Sequence, residues 1–213
     1  MNPARPVLTE LTVADPLEAW RAAGFTVEDD GVARVGAVHL RLVSREHGKH
    51  LLGWAWRDLA GEGLLDGIVT STSTVTSTGT PASEPETHPN GVTLLDHVVV
   101  TTPNLDRTIA AFTARGLDVR RVRHTDQYGP PFRQVFFRGG EVILEVIGPD
   151  ALTGDDPARL YGLAFTVADL DAAAALLGNG LGHVKDAVQP GRRIATLRHR
   201  ELGISVPIAL MSA

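Results

Sequence analysis

"LLDHVVVTT", residues 94–102, sets a single histidine in a run of branched apolar residues. Such a run reads as a strand, because valine and threonine pack well on a pleated surface. Another valine would sit at position 97 with less desolvation, so His97 calls for a partner or a ligand. The chain that follows is "PNLDRTIAAFTARGLDV" (103–119). Pro103 stops the strand, Asn104 is placed to cap a helix, and Leu105, Ile109 and Phe112 fall at helical spacing before Gly116.

The same order returns twice. "YGLAFTVADLDAAAALLGNGLGHV" (161–184) has Asp169 as cap and Leu170 where Leu105 stood. "LTELTVADPLEAWRAAGFTVED" (8–29) has Asp15 as expected cap, Pro16 at the first helical position and Gly24 after the last turn. Each helix is followed by strand-like segments alone. They are "LDVRRVRHTD", "RQVFFRG" and "EVILEVIGP" in one copy, and "HVKDAV", "RRIATLRH" and "ISVPIALM" in the next. The first copy offers "FTVEDDG", "VARVG" and "AVHLRLVS". The recurring unit is β-α-β-β-β, an α+β fold built from repeats. "FRGGEVILEVIG" (137–148) and "ARVGAVHLRLVS" (33–44) also share one alternation and one glycine.

Paired modules opened by "LDHVVVTTPNLD" and "GLAFTVADLDAA" and closed by "EVILEVIGP" resemble the vicinal oxygen chelate superfamily, the glyoxalase, dioxygenase and bleomycin-resistance-like group. The resemblance covers residues 92–213, a glyoxalase-like domain of two modules. Residues 1–69 resemble a truncated N-terminal module, ending in "LLGWAWRDL" as the start of a further one. Residues 70–91 are expected to be a linker, with the Thr/Ser alternation from Thr70 to Thr78 opening as a strand.

The resemblance implies a small-molecule cleft lined by each module's first and last strands. It also implies metal ligands, a His or Glu on the first and a Glu on the last. His97 and Glu145 match those positions in one module. In the other they fall on Gly162 and Ala209, which have no ligating side chain. Alternation speaks independently for Glu145, which shares a strand face with Ile143 and Ile147. A carboxylate there needs a cation, a donor or a proton.

Three readings of the pair stay open: a weakly bound divalent metal, a metal-free cleft that binds or protonates an organic ligand, and a core His–Glu hydrogen bond. Small residues at 162 and 209 favour the second by widening the cleft. The alternative is a metal-dependent lyase, isomerase or dioxygenase using His97 and Glu145. Tyr161 borders the Gly162 position. "QYGPPFRQ" (127–134) reads as a loop leading into a strand; the resemblance implies that such a loop flanks the cleft, which would offer Tyr128, Arg133 and Gln134 to the ligand. Glu10 and Arg41 take the places of His97 and Glu145 in the first module, where they are expected to form an ion pair. Trp54 and Trp56 share one strand face and are expected in a core.

Composition narrows the partners. A net charge of −5 with no basic run longer than a pair argues against nucleic acid. There is no cysteine, hence no disulfide framework and no thiolate ligand. No stretch approaches the roughly 18 apolar residues of a membrane span, and no signal-peptide core follows the N-terminus. These features predict a soluble, cytoplasmic protein; the resemblance implies a small-molecule ligand and a monomer or homodimer.

Overall fold

The computed structural model describes residues 4–73, 87–126 and 131–213. Its elements, in chain order, are β1 (Val7–Ala14), α1 (Leu17–Ala22), β2 (Val32–Val35), β3 (Val38–Val43), β4 (His50–Arg57), β5 (Gly63–Leu65), β6 (Ile68–Thr72) and β7 (Val92–Thr101). Then come α2 (Leu105–Ala114), β8 (Arg121–Thr125), β9 (Phe132–Gly139), β10 (Val142–Pro149), β11 (Arg159–Val167), α3 (Leu170–Leu177), β12 (Lys185–Asp186), β13 (Arg193–Thr196) and β14 (Ile208–Ser212). Few helices and mixed sheets match repeated β-α-β-β-β modules.

The chain forms two compact units. Unit 1 takes its described residues from Met1–Glu10, Gly53–Val75 and His97–Tyr161; unit 2 takes its own from Leu11–Leu52, Thr76–Asp96 and Gly162–Ala213.

Unit 1 holds α2, β8, β9, β10 and the His97–Thr101 part of β7, in the strand order β7-β10-β9-β8. First strand β7 and last strand β10 run parallel, whereas β10–β9 and β9–β8 are antiparallel. Helix α2 forms where the spacing predicts it. The Asn104 side chain accepts the Arg107 N–H at 3.1 Å, and Leu105, Thr108 and Phe112 are the buried positions. Phe112 stacks at 5.3 Å from Phe137, above a floor of Val98, Val100, Val135, Leu144 and Val146, all buried.

The same unit carries β4-β6-β5, with β4 and β6 parallel. Trp54 and Trp56 are buried with ring centroids 5.2 Å apart, and the Trp54 indole N–H reaches Thr70 Oγ1 at 2.7 Å. Both belong to the core. Gly139 admits Trp56, since a Cβ there would stand 2.7 Å from the indole. Between β5 and β6, Asp66 (φ 46°) and Gly67 (φ 91°) make the left-handed Asp-Gly turn of a tight hairpin. Thr70, Ser71 and Thr72 are part of β6.

Unit 2 holds α3, β12, β13, β14 and β11 from Gly162 on, in order β12-β13-β14-β11 with β11 and β14 parallel. Asp169 caps α3 by accepting the N–H groups of Asp171 and Ala172. The N-terminal module, β2-β3-β1 with α1, departs from expectation twice.

First, residues 25–31 form no strand. Two bonds from the Arg21 guanidinium occupy the Val27 carbonyl, and Glu28 and Gly31 close a turn onto Val32. Backbone groups so used cannot join a ladder. Second, Asp15 does not cap α1. Its carboxylate is fully buried and accepts from Ser205 N–H, Arg45 and the Trp20 indole. Residues 87–91 pack into this unit as well: Asn90 donates to Ala23 O, and His88 Nδ1 accepts the Thr26 N–H.

Candidate functional site

The two faces of the β7-β10-β9-β8 sheet differ. One is the core under α2. The register of the strands spells out the other. His97, Ile143 and Arg138 lie in one row; Val99, Glu145, Phe136 and Arg121 in the next; Thr101, Ile147, Gln134 and Arg123 in the third. Phe132 and Thr125 follow. This face is half-buried, with no helix of its own module on it. Its floor is apolar (Val99, Ile143, Ile147, Phe132, Phe136), and three polar side chains cross it diagonally.

These three are His97, Glu145 and Gln134. His97 Nε2 lies 3.5 Å from Glu145 Oε2, with side chains only 16% and 13% exposed. Gln134 Nε2 donates to Glu145 Oε1. A carboxyl oxygen that accepts from Gln134 fixes the amide with its NH2 towards Glu145, and the His97 ring stands beside the other oxygen. The amide oxygen of Gln134 is then left buried with no hydrogen-bond partner among the described residues. A buried acceptor in that state costs about 1–3 kcal/mol, and a donor from a ligand would relieve it.

The remaining expected site residues scatter. Arg133 occupies the opposite face, its guanidinium 2.9 Å from Asp106 and 3.3 Å from Asp150. One step along a strand reverses the side chain, so Arg133 and Gln134 cannot both face the cleft. Tyr161 is exposed at the end of unit 1. Tyr128 lies outside the described residues.

Gly162 and Ala209 belong to unit 2, where Ala209 stands in register with Ala164. Gly162 does not widen a cleft. A Cβ there would come 3.0 Å from the Pro207 carbonyl, so the missing side chain is filled by the neighbouring strand. Glu10 lies on β1 and Arg41 on β3, opposite Val32. Sequence reading missed Arg121, Arg123 and Arg138; the alternation in "RRVRHT" was the available signal.

The set of metal ligands that the resemblance implies is incomplete here. Of the four positions, only His97 and Glu145 offer donors. No cluster of three or more His, Cys, Asp or Glu able to hold a metal occurs among the described residues. Two protein ligands fall short of a closed zinc site or a three-ligand iron site.

No helix among the described residues is long and apolar enough to cross a membrane. No family model and no curated protein matches the sequence. Solved structures do. A mutant of 4-hydroxymandelate synthase from Streptomyces coelicolor superposes with TM-score 0.64 at 17% identity, over 99% of this chain and 92% of that one. A xylose isomerase-like TIM barrel/4-hydroxyphenylpyruvate dioxygenase fusion protein gives 0.61 at 14% identity, over 99% of this chain and 49% of the other, about half its length. Identities this low speak for the fold alone. The repeated modules and the parallel first and last strands agree with them: this chain has the vicinal oxygen chelate fold.

Proposed function

We propose that the chain binds a small organic molecule on the open face of unit 1 without a tightly held metal, and that the His97–Glu145 pair exchanges a proton with it. The observation that carries this is the pair itself. An imidazole and a carboxylate are 3.5 Å apart on an apolar, half-buried face, beside an unsatisfied amide oxygen. A core His–Glu bond would satisfy its surroundings; this one leaves a buried acceptor, Gln134 Oε1, without a partner among the described residues. His97 is suited to hold or release the proton, Glu145 to orient and charge-balance it, and Gln134 to position both ligand and Glu145.

The second reading, a metal-dependent enzyme, keeps His97 and Glu145 as two ligands with Gln134 Oε1 as a neutral third. Its support is that same unpartnered oxygen, since hard octahedral metals accept amide oxygens and water.

Thermal-shift screening of small aromatic and 2-oxo acids, with and without Mn, Mg, Fe and Zn, tests both. Under the first reading, stabilisation by a hit does not need metal. Glu145→Gln and His97→Gln lose that stabilisation while melting near the parent temperature. Hits that appear only with metal favour the second, and hits unaffected by both substitutions sink both.

A further inference from the structure

We propose that the molecule bound on this face carries an oxyanion, carboxylate or phosphate, and that Arg121 and Arg123 receive it, with Arg138 adding charge at the opposite end. This rests on the reading of the face as a ligand site. The strand register gives the first argument. Arg121 stands opposite Phe136 and Arg123 opposite Gln134, so both share the face of Glu145, as does Arg138 opposite Ile143. Between Arg121 and Arg123 the chain places Val122, facing the other way. Two arginines at a spacing of two therefore project side by side over one apolar floor.

Charge gives the second argument. Three arginines stand against one carboxylate on this face, in a chain of net charge −5. On the opposite face, Arg133 is neutralised by Asp106 and Asp150. The guanidinium groups of Arg121 and Arg123 make neither an ion pair nor a hydrogen bond among the described residues. Guanidinium groups recognise carboxylate and phosphate through paired parallel hydrogen bonds, and low-dielectric surroundings strengthen such contacts.

Geometry gives the third. Strands lie about 4.8 Å apart and β8 is two strands from β10, so the anion would sit within roughly 10 Å of Glu145. A molecule with an apolar body and an oxyanion at β8 fits the two neighbouring rows that run from Glu145 to Arg121 and from Ile147 through Gln134 to Arg123. Gln134 Oε1 stands beside it to accept from any donor it carries. Edge strands also carry cations to block pairing with other chains, and β8 is an edge. That role requires no particular face and does not involve Arg138, which lies on an inner strand.

The test uses the full chain and three probes: phenylacetate, phenyl phosphate and the neutral 2-phenylethanol, followed by calorimetry and by NMR of the Arg and Gln side chains. At least one anion should bind saturably and shift the Gln134 amide. Binding should weaken at high salt and fall about tenfold or more in the Arg121→Gln/Arg123→Gln double variant. The ratio of the two anions tells carboxylate from phosphate.

Equal binding of 2-phenylethanol, no saturable anion binding at millimolar concentration, or unchanged anion binding in the double variant would each overturn the proposal. Unchanged binding with new aggregation would assign the pair to edge protection. Glu145→Gln reports separately: if it leaves all three probes unaffected, the His97–Glu145 reading fails while the arginine reading stands.

Discussion

Asp15 shows how one side chain acquires a role its neighbours in sequence do not announce. Preceding Pro16 and a short helix, it has the pattern of an N-cap. Ser205 and Arg45 come from far along the chain and claim both oxygens, at 2.9–3.1 Å. The side chain is fully buried whereas that of Arg45 is 51% exposed, so Arg45 can rehydrate if the pair is broken but the Ser205 N–H cannot. Asp15→Ala should therefore destabilise by about 2–3 kcal/mol, less than the loss of a wholly buried pair. Asp15→Asn, which keeps an acceptor for Ser205, should cost clearly less. Urea denaturation with unchanged slope measures both, and equal costs for the two variants would show that charge rather than the backbone bond dominates.

Among the elements, α3 combines a cap with an ion pair. Asp169 satisfies two N–H groups, and Asp171 in the first turn meets Arg193 of β13 through two bonds of 2.9 Å. The side-chain hydrogen bond from Arg193, helped by its charge, holds the Asp171 carboxyl below its ordinary value. A folded-state value lowered in this way stabilises the protein above the unfolded-state value, and the stabilisation disappears as pH falls through the folded one. Both side chains are substantially exposed, so the effect on stability is small. The titration itself is the better readout. In Arg193→Gln, the Asp171 midpoint followed by carboxyl 13C NMR should rise toward the ordinary aspartate range, and added salt should raise it in the parent chain. A midpoint unmoved by the substitution would mean that the pair does not persist in solution.

At the scale of the whole molecule, the two repeats differ at the positions where the resemblance implies ligands. His97 and Glu145 remain in unit 1; in unit 2 the corresponding positions are Gly162, pressed against Pro207, and Ala209. A metal would have to be held by two protein side chains and solvent, or by Gln134 in addition. Purified protein should therefore contain neither zinc nor iron in stoichiometric amount by elemental analysis. A full equivalent that survives dialysis against chelator would move the proposed function to its metal-dependent reading.

Local physics made much of this legible in the sequence. Period-two alternation placed Glu145 with Ile143 and Ile147, Asn104 and Asp169 announced their helices, and three copies of one pattern named the module. Arg133 and Gln134 show the limit. The sequence reading offers both to the ligand, yet they are neighbours in the strand segment "RQVFFRG", and pairing with β10 sends them to opposite faces. The segment 25–31 has strand-like residues, yet its carbonyls are taken by Arg21 and by a turn. Gly162 reads as empty space and is occupied by a neighbouring backbone. Alternation and capping depend on residues within one turn or one strand, which the sequence states directly. Which distant group fills a space, claims a carboxylate oxygen or leaves the Gln134 oxygen unmatched depends on contacts between segments far apart in the chain, and only folding decides those.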